Sequence, residues 1–332
     1  MKVVDELGGA AGIPVFTNDD VAKAVKKIGW KKCIEEIKTG FKQAAAGKAD
    51  IPHKIYVNTP FGSDLRCMPA CLTKYKNGKY AGVKIICVAP KNPQKHLPTV
   101  VGEYILRDAE TMQLLAVMQA EDLTAYRTGV ATAVATDVLA RKNVKTFCII
   151  GAGKQSFYQT KGILTVRPSI EKIKVFDLFP ESAKKFKANE KEFGVEIVVA
   201  KSVEEAMKGA DIVTTVTPAT KPFISPDLVT EGMHVNGVGA DSKHKIEFDP
   251  EVLKKSKVFV DDMEQCVNSG EVCQCLQKGI ITNDDLTPIG DVLIGKAKGR
   301  TGDKDITFFK STGVAHEDLI TAILVYEQSK NQ

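Results

Sequence analysis

Residues 144–177 constrain the fold of this 332-residue chain more than any other segment. A run rich in β-branched and aromatic residues, V-K-T-F-C-I-I, ends at Gly151, and Gly153 and Ser156 follow at the start of a helix-like run. A second apolar run, K-I-K-V-F, then ends in a carboxylate at Asp177. This order predicts strand, glycine turn, helix and strand, which is the layout of a dinucleotide-binding βαβ unit.

Each residue type in this unit suits a phosphate or a ribose. Gly151 would let the chain turn tightly out of the strand, and Gly153, which has no Cβ, would let a pyrophosphate approach the backbone. The helix that begins with Lys154 and Gln155 would offer free N–H groups to that phosphate. Asp177 would accept hydrogen bonds from ribose hydroxyls. A purely structural glycine turn is the alternative reading.

The charge around the second strand end favours NAD over NADP. The carboxylate of Asp177 would repel the 2′-phosphate of NADP. The following segment, D-L-F-P-E-S, contains no arginine, and the first cations after it are Lys184 and Lys185. We therefore predict NAD as the cofactor.

Composition excludes several other classes of protein. Hydrophobic residues make up 43% and charged residues 26% of the chain, as in ordinary globular proteins. The net charge of +5 is spread along the chain, so we expect no nucleic-acid partner. No apolar run approaches the length of a membrane span, and the N-terminus does not resemble a signal peptide. The eight cysteines lack zinc-site spacing, so we expect that the chain binds no metal. We also expect that its thiols are free and that it is located in the cytoplasm.

The pattern along the chain predicts two architectures. Residues 1–13 read as an irregular leader, and two helices follow, one capped by Thr17 and one from Trp30 to about Ala46. Four strand-like segments come next, with a hairpin turn at residues 76–79, which favours a mixed or antiparallel sheet.

Beyond Ala120, helices and strands alternate, which predicts a parallel sheet covered on both faces. A final helix, from Ala315 to about Gln328, is expected to return to the first domain. The predicted fold class is therefore α/β, a Rossmann-type doubly wound parallel sheet plus a discontinuous α+β domain for substrate binding and dimerisation. The predicted boundaries are 1–124 with 311–332 for that domain and 125–310 for the NAD-binding domain.

Four charged residues stand in contexts that suggest chemistry. Lys84 lies inside the apolar run A-G-V-K-I-I-C-V, so it either extends to solvent or faces a polar pocket. Arg66 lies in a strand context, and Arg127 near the domain junction is either a ligand or a surface residue of a helix. Asp241 follows an apolar strand, where an acid/base carboxylate or a simple Asx turn would both fit. No histidine shows a catalytic pattern.

The motifs as a set resemble the ornithine cyclodeaminase/μ-crystallin family. They occur in family order over residues 50–330 and include D-L-R-C-M-P-A-C-L, A-G-V-K, A-Y-R-T-G-V-A-T-A, I-I-G-A-G-K-Q, V-N-G-V-G-A-D and V-D-D-M-E-Q. Within the family, the chain is most similar to the archaeal-type alanine dehydrogenase branch.

The resemblance implies roles for particular residues. Lys84 and Asp241 match the catalytic pair, and Lys54, Arg66 and Arg127 match substrate contacts. The predicted cofactor-binding residues are Thr128, Gly151, Gly153, Lys154, Gln155, Asp177, Thr217 and Gly239.

The resemblance also implies an activity. Cyclodeaminases carry a Glu where this chain has Arg66, and an arginine there would repel the second amine of ornithine. We therefore expect NAD-dependent oxidative deamination of a small L-amino acid, with L-alanine giving pyruvate and ammonia. The alternatives are ornithine cyclodeamination, ketimine reduction and a non-catalytic NAD(P)-dependent binding protein like μ-crystallin. Family members imply a homodimer joined through the first domain's sheet, without a membrane partner.

Overall fold

The computed structural model describes residues 2–7, 10–76 and 78–330, with side chains from residue 12 onward. It contains two compact units, Met1–Arg127 with Val314–Gln332, and Thr128–Gly313. Helix α3 starts in the first unit and ends in the second. Among the described residues, no helix is both long and apolar enough to cross a bilayer.

The strands are β1 Lys2–Leu7, β2 Ala10–Phe16, β3 Ala49–Asp50, β4 Ile55–Asn58, β5 Asp64–Tyr75, β6 Gly78–Val88, β7 Val100–Asp108, β8 Leu114–Gln119, β9 Thr146–Ile150, β10 Lys172–Phe176, β11 Glu196–Val199, β12 Ile212–Thr215, β13 His234–Gly237, β14 Lys257–Val260, β15 Leu286–Pro288 and β16 Thr307–Lys310. The α-helices are α1 Asn18–Ile28, α2 Trp30–Ala45, α3 Glu121–Leu139, α4 Lys154–Val166, α5 Pro180–Lys187, α6 Glu190–Phe193, α7 Val203–Met207, α8 Pro250–Lys254, α9 Met263–Cys266, α10 Gly270–Gln277, α11 Ile289–Leu293 and α12 Ala315–Lys330.

The first unit is built on a mixed sheet. Its strands are ordered β1-β2-β8-β7-β6-β5-β3, and β4 also pairs with β5. The neighbours pair antiparallel except β2 and β8, which run parallel. The expected irregular leader is wrong, because β1 and β2 form an antiparallel pair within it. The β-branched residues in K-V-V-D-E-L and I-P-V-F favour strands despite the glycines between the two segments. The turn predicted at residues 76–79 includes residue 77, which lies outside the described residues.

Three helices cover this sheet in the first unit. Helix α1 begins at a capping box, in which Thr17 and Asp20 each accept a hydrogen bond from the other's backbone N–H. Helix α12 is buried from Ala315 to Tyr326 and packs on α1, α2 and strands β5, β6 and β7. Because this helix is buried on all sides, its polar side chains lie in the interior of the unit.

The second unit is a doubly wound sheet. Its strands are ordered β11-β10-β9-β12-β13-β16-β14-β15, and the pairings are parallel throughout this path. Alternate residues of β9 enter two separate cores: Phe147 and Ile149 join one, and Cys148 and Ile150 join the other. Both faces of the sheet are therefore covered, as predicted, and the predicted fold class is confirmed.

The strand order defines where a ligand would bind in this unit. From β9 the chain runs outward to β10 and β11 on one side, then crosses to β12 and β13 on the other. The carboxyl ends of β9 and β12 therefore flank a topological switch point, the usual ligand crevice of such sheets. Helices α8 to α11 and strand β15 were not anticipated from sequence, because each has at most eight residues and carries little periodicity.

Candidate functional site

The turn after β9 has the conformation that a phosphate-binding glycine turn requires. Gly151 has φ of 94°, and a Cβ there would lie 2.9 Å from the carbonyl oxygen of Val216, so only glycine fits. Gly153 caps helix α4 with an ordinary φ of −78°, and a Cβ there would meet no atom within 4 Å. The space above Gly153 and the first turn of α4 is thus open. Lys154 opens the helix and lines a cavity of about 320 Å³ with Gly153.

Asp177 follows β10 and ties the glycine turn to that strand. Its Oδ2 accepts a hydrogen bond of 2.7 Å from the backbone N–H of Ala152, and its Oδ1 accepts one of 2.8 Å from Phe179. A carboxylate has about four acceptor positions, so two such bonds leave capacity for further donors. The side chains of Leu178 and Phe179 beside it are 84% and 73% exposed.

A buried glutamate that the sequence did not reveal holds together the ends of β12 and β13. Oε1 of Glu247 accepts hydrogen bonds from the backbone N–H and the hydroxyl of Thr217, at 2.8 and 2.7 Å. Its Oε2 accepts from Gly239 N–H at 2.9 Å and from the Thr215 hydroxyl at 2.7 Å. A Cβ at Gly239 would lie 2.2 Å from the Thr217 carbonyl oxygen, so the two strand ends approach as closely as backbones allow.

Two further buried charges support Glu247. Glu271 accepts a hydrogen bond of 2.8 Å from the Glu247 backbone N–H, and Lys310 forms an ion pair of 2.7 Å with Glu271. All three side chains are fully buried. Burial and the nearby charge of Glu271 raise the pKa of Glu247, while Lys310 opposes the rise. The network fixes the strand ends that carry Thr217 and Gly239.

Asp241 lies four residues beyond the end of β13. Its backbone N–H donates to the Gly239 carbonyl, and its Oδ1 forms an ion pair of 2.8 Å with Lys245. The Asp241 side chain is 26% exposed, so it remains accessible at the carboxyl edge of the sheet. In the second unit, the carboxyl edge therefore gathers the predicted residues that follow β9, β10, β12 and β13.

In the first unit, Lys84 does not extend to solvent. It projects from β6, is fully buried, and its Nζ donates a hydrogen bond of 2.7 Å to Oδ1 of Asp318 in α12. Burial, with the positive charges of Arg127 and Lys54, lowers the pKa of Lys84 to about 7, although Asp318 opposes the change. A lysine of this kind can exist in both protonation states near neutral pH.

Arg127 is buried and shares a carboxylate with Lys84. Its Nε donates to the same Oδ1 of Asp318 at 2.9 Å, and its Nη1 donates to Oε2 of Glu317 at 2.6 Å. These two bonds leave the second terminal nitrogen, Nη2, to other partners. Arg127 is 5% exposed, so it is not a surface residue of its helix.

Arg66 carries a compensating carboxylate of its own. It lies on β5, and its Nε and Nη2 donate to the two oxygens of Asp64 at 2.6 and 3.2 Å. Met68, two residues on, pairs with Lys84 across β5 and β6, so Arg66 and Lys84 point to the same face of the sheet. The structure therefore places Arg66, Lys84 and Arg127 in one unit, and Lys54 acts on Lys84 through its charge.

Sequence reasoning missed four acidic residues of these sites: Asp64, Glu247, Glu317 and Asp318. A signal was present for Asp64, because residues two apart on a strand share a face. Glu317 and Asp318 stand in G-V-A-H-E-D-L-I-T-A-I-L, an otherwise apolar segment, which is unusual for charges that lack a buried partner.

The cysteines form neither disulfides nor a metal site among the described residues. All eight cysteines are free. Within the described ranges, no group of three or more His, Cys, Asp or Glu side chains could hold a metal ion.

Comparison with known proteins gives a consistent result. The model of the ornithine cyclodeaminase/mu-crystallin family matches residues 17–332. An alanine dehydrogenase of Archaeoglobus fulgidus is 39% identical over 320 residues, which cover 96% of each chain. The family predicted from the motifs is thereby confirmed.

Two of the solved structures that match nearly the whole chain illustrate the likeness. One is the Thermococcus litoralis Δ1-pyrroline-2-carboxylate reductase in complex with NADH and L-proline, with a TM-score of 0.90, 33% identity and coverage of 96% of this chain and 98% of that one. The other is an archaeal alanine dehydrogenase dimer with bound NAD, with a TM-score of 0.89, 38% identity and coverage of 96% and 97%.

Proposed function

The chain belongs to the ornithine cyclodeaminase/mu-crystallin family, and from this premise we propose that it is an NAD-dependent amino-acid oxidoreductase that interconverts L-alanine with pyruvate and ammonia. The observation that carries the choice of alanine is the 39% identity with an alanine dehydrogenase over 96% of both chains. The coarser assignment, NAD-dependent conversion of amino acids or their imines, draws on both kinds of relative.

The second unit fits NAD by its own geometry. The positive φ of Gly151, the open space over Gly153 and the free end of α4 together form a cradle for a pyrophosphate. Asp177 retains acceptor capacity for ribose hydroxyls and disfavours the extra phosphate of NADP. The residues proposed to hold the cofactor are Thr128, Gly151, Gly153, Lys154, Gln155, Asp177, Thr217 and Gly239. When bound, NAD supplies a hydride acceptor.

The first unit supplies the cations that would hold an amino-acid carboxylate. Arg127 has one terminal nitrogen outside its two bonds to Asp318 and Glu317. We assign it, with Arg66 and Lys54, to the substrate carboxylate, because guanidinium groups bind carboxylates with fixed geometry.

Proton transfer is assigned to Lys84 and Asp241. A pKa of about 7 lets Lys84 donate a proton to, or accept one from, the substrate nitrogen at neutral pH. Asp241 is a partly exposed carboxylate that pairs with Lys245 near the strand ends, and it is assigned as the base for the water that attacks the imine. Clamping the carboxylate while these groups act would supply much of the rate through orientation.

A substrate panel tests this proposal. The purified protein is incubated with NAD or NADP and L-alanine, L-ornithine or L-proline, and in the reverse direction with NADH and pyruvate plus ammonia or Δ1-pyrroline-2-carboxylate. Absorbance at 340 nm reports net NADH. The proposal predicts NADH formation with L-alanine. Proline and ammonia from ornithine without net NADH would support a cyclodeaminase instead, and reduction of the cyclic imine alone would support a ketimine reductase.

We also propose that the protein forms a homodimer through the first unit's sheet. Strand β4 exposes Ile55 and Val57, and Val101 of β7 lies on the same face through the paired residues of β5 and β6; all three side chains are apolar and exposed. Exposed apolar side chains on one face of a sheet favour burial against another protein surface. Light scattering after size-exclusion chromatography would show twice the chain mass of 36.0 kDa; a monomer would contradict the assignment.

A further inference from the structure

Among the described residues of the first unit, Asp318 contacts two of the three buried cations, Lys84 and Arg127. Its Oδ1 accepts from Lys84 Nζ at 2.7 Å and from Arg127 Nε at 2.9 Å. Its Oδ2 is buried and has no hydrogen-bond partner among the described residues. One oxygen therefore holds two positive charges that would repel each other at this separation.

The position of Asp318 follows from helix α12. Asp318 and Glu317 lie in the first turn of this helix, where backbone N–H groups favour negative charge. The helix is buried on all sides, so neither carboxylate is solvated by bulk water. Two carboxylates thus face two cations in a dry interior, and the loss of any one charge leaves another uncompensated.

We propose that Asp318 is a positioning residue for the reaction, which fixes Lys84 against Arg127 and sets the proton equilibrium of the Lys84 amine. Lys84 and Asp318 are 234 positions apart in the sequence, so no local sequence pattern links them. The inference rests on the proposed function for the role of Lys84 in proton transfer and for the identity of the substrate.

The charged and titratable groups around Lys84 give the direction of the effect. Arg127 on α3 and the cation Lys54 favour the neutral amine, as does burial, and Asp318 on α12 favours the ammonium. Tyr104 faces Lys84 across β6 and β7, and burial holds its pKa well above the usual value, so it is neutral. Arg66 on the same face is paired with Asp64.

Removing the charge of Asp318 therefore removes the main group that keeps Lys84 protonated. An opposite charge this close shifts a pKa by about 1–3 units. Asp318→Asn should lower the pKa of Lys84 by at least about 1 unit. Glu317→Gln is the matched control, because Glu317 binds Arg127 through Nη1, whereas the Lys84 amine donates to Asp318.

The experiment follows the Lys84 amine directly as well as through turnover. Protein labelled with ¹³C at lysine Cε is titrated by NMR with NAD present, and the Lys84 signal is assigned with Lys84→Arg. The pH profile of kcat is recorded in parallel with whichever substrate the panel identifies. We expect both midpoints to move to lower pH in Asp318→Asn, to change little in Glu317→Gln, and to stay near the parent value in Asp318→Glu with a reduced kcat.

Two results would overturn the proposal. One is an equal shift in Asp318→Asn and Glu317→Gln, which would mean that net charge rather than position matters. The other is full kcat in Asp318→Glu, whose longer side chain displaces the shared oxygen; this variant decides the matter if Asp318→Asn does not fold. A shifted NMR midpoint in a protein that does not oxidise alanine would retain the inference and reject the proposed substrate.

Discussion

Gly151 and Gly153 differ in a way that separates folding from cofactor binding. Gly151 has φ of 94°, and its added Cβ would meet a backbone oxygen at 2.9 Å, whereas Gly153 has an ordinary φ and open space around its added Cβ. Gly151→Ala should therefore destabilise the second unit, and Gly153→Ala should leave it folded but obstruct the pyrophosphate.

The magnitudes can be worked from these geometries. A left-handed backbone costs an L-residue about 1–2 kcal/mol, and the contact of Gly151 adds to that. For Gly153→Ala, the loss of a favourable helix cap opposes the lower entropy of the unfolded chain, so stability should change by less than about 1 kcal/mol. Displacing the phosphate from the backbone loses a charge-assisted hydrogen bond of about 1.5–3 kcal/mol, so NAD should bind at least tenfold more weakly.

Urea unfolding followed by far-UV circular dichroism measures the first effect, because the single tryptophan, Trp30, lies in the first unit. Calorimetric titration with NAD measures the second. Gly194→Ala is a control: Gly194 has φ of 69° with no atom near its added Cβ, so it should lose stability without losing NAD affinity. An unchanged dissociation constant in Gly153→Ala would refute the placement of the phosphate on this turn.

Three further predictions concern single side chains. Lys84→Ala should lower kcat by tens-fold or more. The affinity for NAD in a titration should stay unchanged, because Lys84 lies in the first unit. Near-normal turnover of Lys84→Ala would show that Lys84 takes no part in the mechanism. Asp64→Asn should leave the charge of Arg66 uncompensated, because Asp64 now pairs with it at 2.6 Å, and should lower kcat/KM for ornithine at least tenfold more than for alanine. Equal losses of kcat/KM for the two substrates would place Arg66 away from the substrate side chain. Burial lowers the pKa of His316 to about 3, so the unfolded chain binds more protons than the folded chain between pH 6.5 and 3. As the pH is lowered through that window, the free energy of unfolding should therefore decrease more steeply in the parent than in His316→Leu. Identical slopes of the free energy of unfolding against pH would contradict this.

The nucleotide-binding half could be predicted from sequence because its signals are local. The strand, the glycines and the acid of residues 144–177 fall within one βαβ unit, and the alternation after Ala120 gives the parallel sheet. The first strands were mistaken for a leader because Gly and Ala mask two short strands that pair with each other, and the second neighbour of β2, strand β8, is distant in sequence.

The charges that surround the candidate residues could not be predicted in the same way. Asp318 meets Lys84 across 234 positions, and Glu247 binds the strand ends from 30 and 8 residues away. Such pairings depend on how helix α12 and the sheet pack, which a linear pattern does not record. The pairing of Asp64 with Arg66 was accessible, and it reduces the repulsion of a diamine that Arg66 alone suggested.

The stoichiometry of the reaction tests the central claim most directly. Purified protein, NAD and L-alanine are incubated, and NADH, ammonia and pyruvate are measured in the same sample. The account predicts the three products in a ratio of 1:1:1, as the hydride, amine and 2-oxo acid of one oxidative deamination, and their formation tens-fold or more slower in Lys84→Ala. Ammonia and proline formed from ornithine with no net NADH, together with no product from alanine, would contradict it.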